Sequence, residues 1–198
     1  MSKIALSPNA SGSGTFTIAA PNSNTDRTLT LPDEAGTVLT SAGRYADQWY
    51  LTSNITNPGA GDVDITANLQ RTVGNITGAG GLGNAMSESS GIFTFPVTGI
   101  WAVRVEAQGT STGDTSGYLS LYMTTNNSTY NEMNRLDYGV ANSGDPVRSV
   151  SVGEVLLDIA DVTTHKVKFT TSSMTATTVF GASSPIRTNF SFIRLGDT

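Results

Sequence analysis

Two aspartates one residue apart, a single histidine and a glycine run are the positions at which this chain could do chemistry. Asp62-Val-Asp64 places two carboxylates on one side of a strand, an arrangement able to ligate a hard cation. The same alternation on a solvent-facing strand needs no metal, and none is assigned. His165 stands beside Lys166 and Lys168, but a general base needs a nucleophile. No Gly-x-Ser-x-Gly elbow is present, and the nearest match, Ser11-Gly-Ser-Gly14, reads as a linker. Gly78-Ala-Gly-Gly-Leu-Gly83 lacks a following helix or Gly-Lys-Ser/Thr and reads as a loop rather than a phosphate cradle. With no cysteine, thiolate and disulfide chemistry is excluded. The expectation is a protein without catalytic residues, cofactor or metal. Paired carboxylates acting on a glycan are the one enzymatic arrangement the sequence leaves open.

The composition points the same way. Charged residues are 14% of the 198-residue chain, against roughly 25% in an average globular protein. Thr, Ser, Asn and Gly fill the difference, and all four disfavour helix interiors. The net charge is -5, with 11 scattered basic residues, which leaves no clustered cationic surface for nucleic acid. The start, Met-Ser-Lys-Ile-Ala-Leu-Ser-Pro, lacks the apolar stretch of a signal peptide, and no run is long enough to insert in a membrane. Export by a secretory route is therefore not expected.

Two regions are distinguishable, an N-terminal arm over residues 1–43 and a domain over 44–198. In the arm, Phe16 with Ile18 and Leu29 with Leu31 alternate with threonines, and Val38-Leu39 adds a last apolar pair. Pro21 to Asn24 and Pro32 to Gly36 supply turns between them. Two such short strands bury too little to offset ordering costs of ~1–2 kcal/mol per residue. These six residues are the expected docking contacts of the arm with another protein.

From Arg44 onward strands follow one another. Gln48–Leu51, Tyr118–Met123, Ser149–Ile159, Lys166–Thr171 and Asn189–Leu195 are predicted strands, with weaker candidates over 63–69 and 71–76. Residues 91–107 carry the clearest alternation: Phe93, Phe95 and Val97, then a turn, then Trp101, Val103, Val105 and Ala107. This segment predicts two antiparallel strands paired around the Pro96 to Gly99 turn. Some eight to ten strands with these spacings predict an all-β sandwich or jelly roll. Tyr118 and Tyr122 are read as packing residues. Tyr130 and Tyr138, in Asn/Ser/Gly-rich stretches expected to be loops, are candidates for surface recognition.

Two resemblances add to this reading. Gly91-Ile-Phe-Thr-Phe-Pro-Val-Thr-Gly-Ile-Trp-Ala-Val-Arg-Val-Glu-Ala107 resembles the central motif of the C1q/TNF-like jelly roll, and Asn189-Phe-Ser-Phe-Ile-Arg-Leu-Gly196 resembles its closing strand. The segment 160–167 departs from the Gly-Asp-x-Val turn of C1q-like domains. The arm is similar to segments of tailed-bacteriophage fibre and capsid-decoration proteins. The first resemblance implies a homotrimer, with Phe93, Phe95, Trp101, Phe190 and Phe192 in the core or at the trimer contact. The second implies a non-enzymatic virion protein, assembled in the host cytoplasm, whose arm docks on other capsid or tail proteins. Capsid decoration or cement is favoured over a short tail fibre or glycan-binding tip, because no shaft-forming segment is present. Host surface glycan stands as a further candidate partner.

Overall fold

The computed structural model describes residues 43–138 and 146–198, together with residues 11–15, 17, 24, 26 and 28. The chain divides into two units, 1–37 and 38–198, and the second is described below. The arm residues Phe16, Ile18, Leu29, Leu31, Val38 and Leu39 lie outside the described residues.

The domain is an all-β sandwich. Its strands are β1 (Ala46–Leu51), β2 (Ile55–Thr56), β3 (Val63–Asp64), β4 (Leu69–Arg71), β5 (Ser87–Ser89), β6 (Ile92–Thr94), β7 (Gly99–Ser111), β8 (Gly117–Thr124), β9 (Tyr130–Tyr138), β10 (Val147–Ile159), β11 (Lys166–Ser172), β12 (Thr177–Val179) and β13 (Asn189–Gly196). One sheet runs β2-β12-β7-β13-β1-β4, with β10 on the other side of β7. The second runs β5-β6-β11-β8-β9, with β3 beside β6 on the same edge of β11. All pairings are antiparallel.

The alternation of 91–107 was assigned to the right residues but to the wrong partners. β6 pairs with β5 and β11, whereas β7 pairs with β10, β12 and β13. The Pro96 to Gly99 turn therefore carries the chain from one sheet to the other instead of closing a hairpin. The Trp101 indole donates to the Val97 carbonyl at 3.2 Å and ties this crossing to the core. Two further expectations are corrected. Tyr130 and Tyr138 bound β9 instead of lying in loops, and 72–76 are bend and turn instead of strand.

Inward positions of both sheets meet in one core. Phe93 touches Trp49, Phe169, Phe190 and Phe192, with ring centroids 5.2 to 6.4 Å apart. Phe95 packs on Trp101 at 5.1 Å and Phe169 on Phe190 at 4.1 Å. Such aromatic pairs contribute ~0.5–1.5 kcal/mol each beyond the area they bury. The segment linking β1 to β5 is clamped by Asp47, a buried carboxylate that accepts from Arg71 Nε at 2.6 Å, Met86 N at 2.9 Å and Trp49 Nε1 at 3.2 Å.

Register fixes the two ends of the sandwich. Gly99 faces Ile159, Gly196 faces Ile100 and Ala46 faces Ile193, so the entry from residue 43 and the C-terminus share one end. At the opposite end Ser111 faces Val147 and Thr177, and Gly117 faces Tyr138. The loops over 112–116 and 180–188 lie there.

Candidate functional site

The two outer faces of the sandwich differ in kind. Reading across the β10-β7-β13-β1 sheet, one row is Leu156, Ala102, Ile193 and Ala46. The next is Glu154, Arg104, Ser191 and Gln48. Along β10 and β13, Val150, Val152, Leu156, Ile193 and Leu195 are 62%, 51%, 59%, 45% and 54% exposed. The small Ala102 on β7 leaves a trough between these ridges, with a cavity of about 300 Å³ bordered by Gln48, Arg104, Glu154 and Ile193. Gln48 Nε2 reaches Ser191 Oγ at 3.1 Å and Asn189 Oδ1 at 3.3 Å, which fixes the trough's polar half.

The outer face of the other sheet is a closed polar network on β8, β9 and β11. Lys168 Nζ pairs with Asp64 at 2.7 Å and lies 4.7 Å from the Tyr130 ring and 5.9 Å from the Tyr122 ring. Tyr122 donates to Asp62 at 3.3 Å. Arg135 covers Tyr118 at 4.7 Å and holds Glu132 through two bonds of 2.7 Å, while Ser120 donates to the same carboxylate at 2.6 Å. Burial pushes the Tyr122 hydroxyl above the ordinary tyrosine range, and the charges of Asp62 and Glu132 push it further. Burial also raises Tyr130, with Lys168 opposing and Asp64 adding. The Arg135 bond holds Glu132 below the usual carboxylate range, against its burial.

The predicted residues fall as follows. Phe93, Phe95, Trp101, Phe190 and Phe192 are all 2% exposed or less. They fill the core, one of the two places expected of them, and the exposed apolar side chains belong instead to aliphatic residues of β10 and β13. Tyr118 and Tyr122 are not core residues but join Tyr130 on the outer polar face. The Tyr138 backbone ends β9, and its side chain lies outside the described residues. Asp62 and Asp64 do share a face, but Tyr122, Lys168 and Thr170 engage them. Among the described residues no group of three or more metal-ligating side chains occurs. His165 Nδ1 lies 3.1 Å from Thr164 Oγ1, its chain neighbour in the turn before β11. The aliphatic rows of β10 and β13 were missed, although Val150, Val152 and Leu156 alternate visibly in sequence. The alternation reports that one face is apolar, and β10 is apolar on both over part of its length.

The two antiparallel sheets, in the orders β4-β1-β13-β7-β10 and β5-β6-β11-β8-β9, make the domain a jelly-roll sandwich. Its fold is similar to that of tumour-necrosis-factor proteins. A solved Eiger TNF from S. frugiperda superposes with a TM-score of 0.58 at 10% identity, over 79% of this chain and 95% of that one. Murine APRIL at pH 8.0 superposes with a TM-score of 0.53 at 10% identity, over 77% and 99%. Murine APRIL at pH 5.0 gives 0.55 at 9% identity over the same shares. No protein-family model and no curated protein matches the sequence. At this identity the likeness is one of fold.

Proposed function

We propose that this chain is a non-enzymatic structural protein of a bacteriophage particle, a homotrimer that docks through its N-terminal arm and projects its jelly roll, as a capsid decoration or cement protein. The observation that carries the self-association is the exposed apolar surface of β10 and β13, set beside the Ala102 trough in a domain whose fold is similar to that of TNF proteins. Exposed aliphatic surface of this kind marks an interaction site, and burying it against copies of itself closes a cyclic assembly. The TNF-like fold and the resemblance of residues 91–107 and 189–196 support three copies. The resemblance of residues 14–40 supports the particle.

The arrangement of the ends agrees with this role. The described domain begins at residue 43 beside its own C-terminus, with the loops over 112–116 and 180–188 at the opposite end. A short tail fibre with a recognition tip is the second reading, favoured by an arginine pair at that far end. Sedimentation of the full chain is expected to return three times the chain mass of 20.6 kDa. A monomer at micromolar concentration sinks the assembly. Labelling of purified particles separates the two roles, since decoration covers the head and a fibre is confined to the tail.

A further inference from the structure

Arg148 on β10 and Arg187 in the loop before β13 converge on one side chain, Phe180. Their guanidinium carbons lie 5.8 and 5.2 Å from its ring centroid. Four other arginines have carboxylates: Arg71 with Asp47, Arg104 with Glu106, Arg135 with Glu132 and Arg194 with Asp197. Neither Arg148 nor Arg187 has an acidic partner or hydrogen-bond acceptor among the described residues, although the chain carries a net charge of -5. Two like charges sharing one ring repel each other, and the ring's quadrupole offsets only part of that cost.

Register places a further group here. Arg148, Thr110 and Thr178 are cross-strand neighbours on β10, β7 and β12. The Thr110 hydroxyl is buried with no hydrogen-bond partner. Phe180, two residues beyond Thr178, is anchored by its N–H to the Gln108 carbonyl at 2.8 Å. The far end of the sandwich thus holds two guanidinium groups that share an apolar ring and have no counter-charge among the described residues, with an unpartnered hydroxyl on the neighbouring strand.

We infer that Arg148, Arg187 and Phe180 form an oxyanion site that takes the carboxylate or sulfate of an acidic saccharide. Guanidinium forks match planar carboxylate and tetrahedral sulfate oxygens with paired hydrogen bonds. The half-buried Phe180 gives the sugar's C–H surface an apolar contact. Two cations on an acidic protein suit a compact single charge, whereas a nucleic acid needs many neutralised phosphates. The site is built by one chain and does not rest on the trimer or the particle.

Calorimetric titration of the full chain tests this with three probes: a glucuronate-containing oligosaccharide, the same oligosaccharide with its carboxyls reduced to alcohols, and sodium sulfate. The acidic form is expected to bind saturably and about tenfold or more tighter than the reduced form, and sulfate is expected to compete with it. Equal affinity for both forms, absence of binding, or failure of sulfate to compete overturns the inference without any variant. Arg148→Ala and Arg187→Ala should each weaken binding about tenfold, with unchanged melting confirming their fold, while Arg44→Ala at the opposite end should leave affinity unaltered. Binding per chain should persist in a Leu156→Glu variant whether or not it remains associated. Loss there, with the fold intact, overturns a one-chain site and leaves the self-association unaffected.

Discussion

Asp114 shows how much one side chain can hold. It is 9% exposed, and its carboxylate accepts from Thr175 N at 3.1 Å, Thr175 Oγ1 at 2.6 Å, Ala176 N at 2.8 Å and Thr177 Oγ1 at 2.6 Å. These bonds pin the start of β12 to the β7–β8 loop. Burial alone would raise the carboxyl's pKa, but the bonds from Thr175, Thr177 and Ala176 outweigh it and hold the group below its ordinary value. A depressed folded pKa means that the stabilisation is complete above the unfolded value, about 3.9, and fades as pH falls through the folded one. Asp114→Asn, which turns an amide toward these donors, should cost about 2–3 kcal/mol at pH 7. Urea melts should show the gap between wild type and variant narrowing below about pH 4; a gap independent of pH would remove the carboxylate from this account. In sequence Asp114 reads only as a turn residue after Thr112-Gly113. Its partners are some sixty positions away, and nothing local announces them.

At the scale of elements, alternation in the sequence reported several of the strands and their buried sides, but not which strands pair. A two-strand hairpin and a crossing between sheets share the same signature, an apolar run, a Pro-x-x-Gly turn and a second run, so β6 and β7 were joined in one sheet when the core holds them in two. β9 was overlooked for a different reason. As an edge strand it sends Leu136 inward and spends Glu132 and Arg135 on the outer network, so its composition is that of a loop. The hairpin of β5 and β6 was also hidden, because Ser90 and Gly91 form its turn with φ of 51° and 83°, a pair of left-handed residues typical of tight hairpins. Gly91 is constrained twice over, since a Cβ there would sit 2.2 Å from the Ile65 carbonyl oxygen. Gly91→Ala should lower stability by ~2–4 kcal/mol, read by chemical denaturation. A loss below about 0.5 kcal/mol, the usual surface effect, would show that the hairpin yields at no cost.

For the molecule as a whole, the contrast between the faces is the informative feature. On β8, β9 and β11 the outward Lys168, Glu132 and Arg135 each have an opposite charge or a phenol beside them, which suits that surface to water. On β10 and β13 aliphatic side chains stand exposed around a trough, and each would contribute ~1.5–3 kcal/mol if fully buried. That gain must exceed ~4–15 kcal/mol of lost translational and rotational freedom, which several side chains contributed by each of three chains can do and an isolated one cannot. Leu156 is the place to test it, because it is 59% exposed in the single chain and its replacement disturbs no core contact. Leu156→Glu leaves the sandwich intact but puts a carboxylate into a surface that association would dry, at a cost of several kcal/mol. The sedimenting mass should fall from three chains to one while the circular-dichroism spectrum is retained. Ser89→Glu, on the exposed edge of the other sheet, should leave the mass unchanged. If the Leu156→Glu chain still sediments as three, copies meet elsewhere, and the apolar rows of β10 and β13 must be reserved for a different protein.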